Sequence, residues 1–243
     1  MKKYIFFLCL VCFAQILHAQ FGLNVSYKQI DASGWDNNIE AFTAINGETQ
    51  TTFDNGLSYG IDYWFRLKKK RIEFMPELNY AGFSETWSNS ESTVAEISTN
   101  FLSLYANTNI YLFDLGSDCN CPTFDKDGDI LKKGFFFQIS PGVSYVSNNF
   151  SNKVSNNDVG QNTFAPSIGL GVGLDIGVSK FLTITPIVTY RQHFNVNWEN
   201  MHDLLESNPI LTGEDDETEV SMLSFGIRIG MRFDELKNKY GYR

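Results

Sequence analysis

The chain has 243 residues, of which 43% are hydrophobic, 15% aromatic and only 19% charged, with 19 glycines. Its formal net charge is −9, and without residues 1–19, which hold Lys2 and Lys3 and no acid, 17 basic residues face 28 acidic ones. That acidity excludes a nucleic-acid binder, which needs a basic face to displace counterions, and no apolar run of helix-spanning length occurs beyond the N-terminus.

Taken in chain order, residues 1–19 read as a secretory signal peptide. Lys2 and Lys3 form a positive start, Tyr4 to Leu17 an apolar run, and Ala19 before Gln20 a small-residue cleavage point. A body of residues 20–233 and a short polar tail, 234–243, remain. Cys9 and Cys12 fall in the leader, so the mature chain keeps Cys119 and Cys121. Export permits a disulfide, but two cysteines are no disulfide framework.

The body alternates apolar and polar residues with the period of a strand, in which successive side chains point to opposite faces. Eight segments show it. Phe21, Leu23, Val25 and Tyr27 come first, then Leu57 to Leu67, Ile72 to Tyr80, Leu102 to Leu112 and Phe135 to Tyr145. In the sixth, Phe164, Pro166, Ile168, Leu170, Val172, Leu174, Ile176 and Val178 oppose Ala165, Ser167, Gly169, Gly171, Gly173, Asp175, Gly177 and Ser179. Leu182 to Tyr190 and Leu223 to Phe233 complete the set. A helix would smear both classes around its axis. Most segments reach the nine to eleven residues, roughly, that a tilted strand needs to cross a bilayer. Four prolines, Pro76, Pro141, Pro166 and Pro186, sit in or near these strands. Lacking an N–H for the ladder, they predict local bulges or wide pairs.

Connections alternate as well. Lys68–Arg71 and the turn at Ser179–Lys180 are short, whereas 31–55, 85–97, 148–162 and 195–219 read as long polar loops. Short turns at one end and long loops at the other are the plan of an outer-membrane barrel. Residues 114–133 are the exception, an insertion on the short-turn side. A soluble barrel and a membrane barrel both have one apolar face. The membrane form is favoured because the apolar face is nearly free of charge while the other collects both signs: Lys28, Asp62, Arg66, Glu73, Glu77, Asp175, Arg191, Arg228 and Arg232. That face also holds much Gly and Ser, as a narrow filled lumen requires. The expected fold is all-β, an eight-stranded antiparallel up-and-down transmembrane β-barrel, closed because hydrocarbon tolerates no free edge.

The segments GFFFQISPGVSY (134–145) and SFGIRIGMRF (224–233), with the leader and the eight strands, resemble small outer-membrane β-barrel proteins of the PorT-like kind, in the broad OmpA/OmpX-like architecture. The resemblance implies residence in the outer membrane of a Gram-negative cell. It also implies contact with outer-membrane lipid and lipopolysaccharide, and reading of 224–233 by the barrel insertion machinery. Asp234 to Arg243 continue past Phe233, where many such barrels end. A secretion-apparatus or cell-surface protein partner follows from the same likeness.

Candidate chemistry is sparse. Asp125, Asp127 and Asp129 resemble the start of a calcium loop, but Ile130 and Phe136 hold the places where an EF-hand needs Gly and Glu. A hydrophilic turn is the plainer reading and a weak calcium site the sharper one. Cys119 and Cys121 have no second Cys/His pair nearby to complete a metal site. His193 and His202 lie near the expected outer rim. Ser221, Ser224 and Glu219 on the next strand offer a lipid hydrolase's residue types beside His193, but any Ser-rich barrel offers such a combination, and an ordinary lumen histidine is the plainer reading. Trp35, Trp87 and Trp198, with several Tyr, are placed as anchors at the outer interface. Residues 195–218 contain seven acids and no Lys or Arg, and 31–55 five acids and none. Acidic loops suit divalent-cation bridging to lipopolysaccharide or a cationic partner. An eight-stranded lumen is just wide enough for its own side chains, so a non-enzymatic structural or surface-binding barrel without a cofactor is expected.

Overall fold

A computed structural model describes residues 20–32, 34–35, 53, 55–67, 70–88, 93–114, 134–152, 157–179, 182–198 and 217–231. Its strands are β1 (Phe21–Asp31), β2 (Asn55–Tyr63), β3 (Phe65–Arg66), β4 (Ile72–Ser88), β5 (Thr93–Ile110), β6 (Phe135–Asn152), β7 (Asn157–Leu174), β8 (Ile176–Gly177), β9 (Leu182–Asn197) and β10 (Glu217–Met231). Every pairing is antiparallel, and β10 bonds both β9 and β1. The chain therefore forms a closed eight-stranded up-and-down barrel, in which β2 with β3, and β7 with β8, are interrupted halves of single staves.

Those interruptions have one cause. The β2–β4 register runs to Asp62↔Glu77, lapses opposite Pro76, and resumes unchanged at Phe65↔Phe74. The β5–β6 register lapses between Tyr105↔Gly142 and Thr108↔Ile139, opposite Pro141. The β7–β9 register lapses between Gly173↔Ile187 and Ile176↔Ile184, opposite Pro186, and it ends at Ser167↔His193, next to Pro166. On its other side each proline stays paired, with Ala106, Ile168, Val143 or Ile227. A strand residue aims its N–H and C=O at one neighbour only. Each proline thus turns its missing donor toward a single seam. The expected bulges are not at the prolines. Register shifts occur instead between Trp87 and Ser88 and between Thr218 and Val220.

The two faces of the wall behave oppositely. Leu23, Val25, Ile61, Leu78, Leu104, Ile139, Val143, Ile168, Leu170 and Ile227 are exposed on the outside. Phe164 is 70% exposed while its neighbour Ala165 is 0%. Two aromatic rings bound this belt. At the turn end, Phe21 meets Tyr63, Tyr63 meets Phe65, Phe65 stacks on Phe74, and Phe113, Phe135 and Phe137 follow, with centroids 5.3–6.3 Å apart. At the loop end, Tyr27, Tyr59, Tyr80, Tyr145, Phe164, Tyr190 and Phe225 encircle the wall. Ten residues separate Phe135 from Tyr145, about 33 Å along a strand and about 25 Å along the axis at a tilt of about 40°.

Above the loop-end ring the polarity exchanges. Outward positions become Ser84, Thr86, Glu96, Ser98, Asn100, Asn149, Asp158 and Asn162, whereas inward positions become Ala81, Phe83, Ile97, Phe101, Val146, Phe150, Val220 and Met222. These inward residues join Ile30, Ala32, Trp35, Phe53, Ala165, Val196 and Trp198 in one buried apolar core. Two of the expected loops are largely strand here: β4 runs to Ser88 and β5 starts at Thr93, while β6 runs to Asn152 and β7 starts at Asn157. Trp35 (3% exposed) and Trp198 (1%) meet edge to face at 5.3 Å inside that core. They are not interface anchors. The rings that bound the belt are built of Tyr and Phe.

Candidate functional site: the filled lumen

Below the apolar core the lumen is ionic. Lys28 Nζ donates to Asn79 Oδ1 at 3.1 Å, and Asn79 Nδ2 to Glu77 Oε1 at 2.9 Å. Glu77 also accepts from Asn24 at 3.2 Å and from Asn107 at 2.6 Å. Ser140 donates to Asn107, and Arg191 reaches Ser140 Oγ at 2.5 Å and its carbonyl at 2.9 Å. Arg191 lies on the Tyr105 ring with Cζ 3.4 Å from the centroid, and Lys28 approaches the same ring at 5.9 Å. Nearer the turn end, Arg228 grips Asp62 at 2.6 and 2.7 Å. The Tyr111 hydroxyl donates to Glu73 at 2.9 Å and also meets Asp175, which accepts from Thr185. Arg71 covers the Tyr111 ring at 4.5 Å. Tyr111 lies just beyond the end of β5, buried between the Glu73 and Asp175 carboxylates.

Four cations (Lys28, Arg71, Arg191, Arg228) thus share the described interior with four carboxylates (Asp62, Glu73, Glu77, Asp175). Charges removed from water need partners of opposite sign with good geometry. Glycine makes the room. A Cβ on Gly22 would stand 2.5 Å from Arg228 Nε, and one on Gly142 would stand 2.5 Å from Tyr105 Cδ1. The space left is a cavity of about 50 Å³ lined by Lys28, Glu77, Tyr105, Asn107 and Arg191 among others, room for a few waters and not for a diffusing solute.

Of the residues singled out from sequence, Lys28, Asp62, Glu73, Glu77, Asp175, Arg191 and Arg228 come together in this network. The Arg66 side chain, Arg232, Asp125, Asp127, Asp129, Cys119, Cys121 and His202 lie outside the described residues, as do residues 1–19 and 234–243 and the Trp87 side chain. Among the described residues no group of three His, Cys, Asp or Glu could hold a metal. His193 is fully buried, bonds Ser144 Oγ through Nε2 at 3.1 Å and packs on Phe101 at 5.1 Å. Glu219 instead accepts from Gln192 on the outside of the wall, and Ser221 points outward between the buried Val220 and Met222. The hydrolase grouping is therefore not assembled around His193. Strand parity in the sequence puts Asn79, Asn107, Asn109, Gln138 and Ser140 on the charged face, but nothing in it marks them as the groups that bridge the charges, which they are here.

No family model matches the chain, and no curated protein matches it. Among solved structures it is similar to Ail, the attachment invasion locus protein of Yersinia pestis, at 9% identity and a TM-score of 0.45, covering 88% of this chain and 99% of that one. Neisserial surface protein A is similar at 10% identity and a TM-score of 0.40, covering 87% and 96%. The outer membrane protease OmpT of Escherichia coli is similar at 8% identity and a TM-score of 0.37, covering 87% and 94%.

Proposed function

We propose that this chain is a non-enzymatic outer-membrane barrel of a Gram-negative cell that works through its loop end and does not conduct solutes. One observation carries the reading: an apolar outer belt, bounded by two aromatic rings, encloses an ion-paired interior. Such a wall is stable only with hydrocarbon outside, where every backbone group must bond within the protein. The lumen is closed twice, by the ionic network and by the apolar core above it. The cavity between the paired side chains, about 50 Å³, has room for a few waters.

The loop end carries the surface chemistry. Residues 31–55, 85–96, 153–158 and 199–219 contain 17 acids and a single cation, Lys153. Charge of one sign at that density attracts a cationic partner, or lipopolysaccharide through divalent cations. The PorT-like alternative, a periplasm-facing role in a secretion apparatus, draws on 134–145 and 224–233, and loss of protein secretion on gene deletion is its test. For the main reading, the full chain is folded into detergent and then into planar bilayers. A mobility shift between unheated and boiled samples, with no stable conductance steps, is expected. Absence of the shift, or steady ion conductance, overturns it.

A further inference from the structure

We propose that the middle of the lumen is a binding site for one small monovalent inorganic anion of the halide class, held by Lys28 and Arg191 beside the Tyr105 ring. The site lies inside the wall and is independent of what the loops bind.

The two cations converge on one side chain. Arg191 Cζ lies 3.4 Å from the Tyr105 centroid and Lys28 Nζ 5.9 Å from it, and all three residues are buried. Among the described residues every acceptor these cations reach is neutral. Lys28 donates to the Asn79 amide oxygen, and Arg191 to the Ser140 carbonyl, Ser140 Oγ and Ser167 Oγ. Each cation therefore keeps N–H donors to spare, since an ammonium has three and a guanidinium five. The Tyr105 hydroxyl is a further donor, buried with no hydrogen-bond partner among the described residues.

The carboxylates lining the same cavity are committed elsewhere. Asp62 holds Arg228, and Asp175 accepts from Thr185 and Tyr111. Glu77 accepts from Asn24 and Asn79 on Oε1 and from Asn107 on Oε2, so amides and not cations fill both of its oxygens. One chain of hydrogen bonds runs Lys28–Asn79–Glu77–Asn107–Ser140–Arg191. It has a cation at each end and a single carboxylate in the middle, which leaves one positive charge in excess. Like charges repel more strongly where water is scarce, and a buried charge without an opposite one is costly. The tyrosine face offsets part of that cost, and an anion in the cavity beside both cations offsets the rest. Charge and size set its class. The surplus is a single charge, and a cavity of about 50 Å³ takes an ion of about water's size with water to complete its shell.

The test folds the full chain into detergent in sodium bromide or in sodium gluconate at equal concentration, and reads the thermal midpoint of the mobility shift. Gluconate, a six-carbon acid, is too large for the cavity. The midpoint should be higher in bromide, by about 2–4 °C once bromide exceeds its dissociation constant about fivefold. Lys28→Met keeps most of the aliphatic stem, removes the charge and should abolish the difference. Lys70→Met, at an exposed position of the turn end, should preserve it and so exclude a general salt effect. If Lys28→Met loses the mobility shift, wild-type crystals grown in bromide decide. An anomalous-scattering peak within contact of Lys28 Nζ and the Arg191 guanidinium is expected, and a cavity without one overturns the inference. Equal midpoints in the two salts, or a difference that survives Lys28→Met, overturn it as well and leave the barrel reading standing. A chain without the mobility shift in either salt overturns both.

Discussion

Arg228 of the last strand holds Asp62 of β2 through two parallel bonds of 2.7 and 2.6 Å, reaching across β1, which lies between them in the wall. The pair joins residues 166 positions apart and buries both charges. It ties together the two strands that flank the closing stave. Arg228→Ala should destabilise the barrel by about 3–5 kcal/mol, because Asp62 is left buried without its counter-charge. The double variant Asp62→Asn, Arg228→Gln should recover a large part of that loss. Urea unfolding in lipid vesicles measures both, and a single variant no worse than the double contradicts the argument.

Gly142 faces the Tyr105 ring, which carries Arg191 on its face. Gly142→Ala places a Cβ 2.5 Å from Tyr105 Cδ1 and 2.7 Å from the Leu104 carbonyl. The strand cannot retreat without breaking its ladder, so the ring and the guanidinium must move. A cost of about 1–3 kcal/mol is expected, read as a lower thermal midpoint of the mobility shift.

The exchange of polarity at the tyrosine ring predicts unequal tolerance of charge along one strand. Leu104→Arg, on the outer belt of β5, should cost about 2–4 kcal/mol of folding free energy in a bilayer. Ser98→Arg lies on the same face of the same strand, six residues higher, and should cost about 1 kcal/mol or less. Equal costs would mean that the belt extends past the ring.

Burial of Trp198 in the upper core sets its fluorescence. A chain keeping Trp198 alone (Trp35→Phe, Trp64→Phe, Trp87→Phe) should emit in the blue and resist quenching by both acrylamide and brominated acyl chains. Adding Tyr190→Trp to a tryptophan-free chain places an indole on the outer ring, where brominated lipid should quench it strongly. Strong lipid quenching of Trp198 would restore it to the interface.

Much of the wall was legible because one face of every crossing had to be apolar. Phe164 to Val178 and Leu223 to Ile229 show this with hardly a break, and the charges from Lys28 to Arg228 fell on the opposite face. The upper core was hidden by the same rule. Once a strand leaves hydrocarbon its requirement reverses, so Ile97 and Phe150 look like stray apolar residues in polar loops. Trp198 was misplaced for a second reason: the irregularity at Asn195 shifts the parity of Val196 to Trp198, and no composition marks it. Prolines were visible, but their consequence needed the register, since sequence does not tell which neighbour a nitrogen faces.

The tyrosine ring also acts as a waterline. Sliding the wall down by two residues, about 7 Å along a strand, would drown Ser98 and Asn100 in hydrocarbon and push Leu23 and Ile61, at the turn end, down toward water. Sliding it up would strand the tyrosines in solvent. Either displacement is opposed around the whole circumference, so this cylinder sets its own draught and needs no tether to keep it.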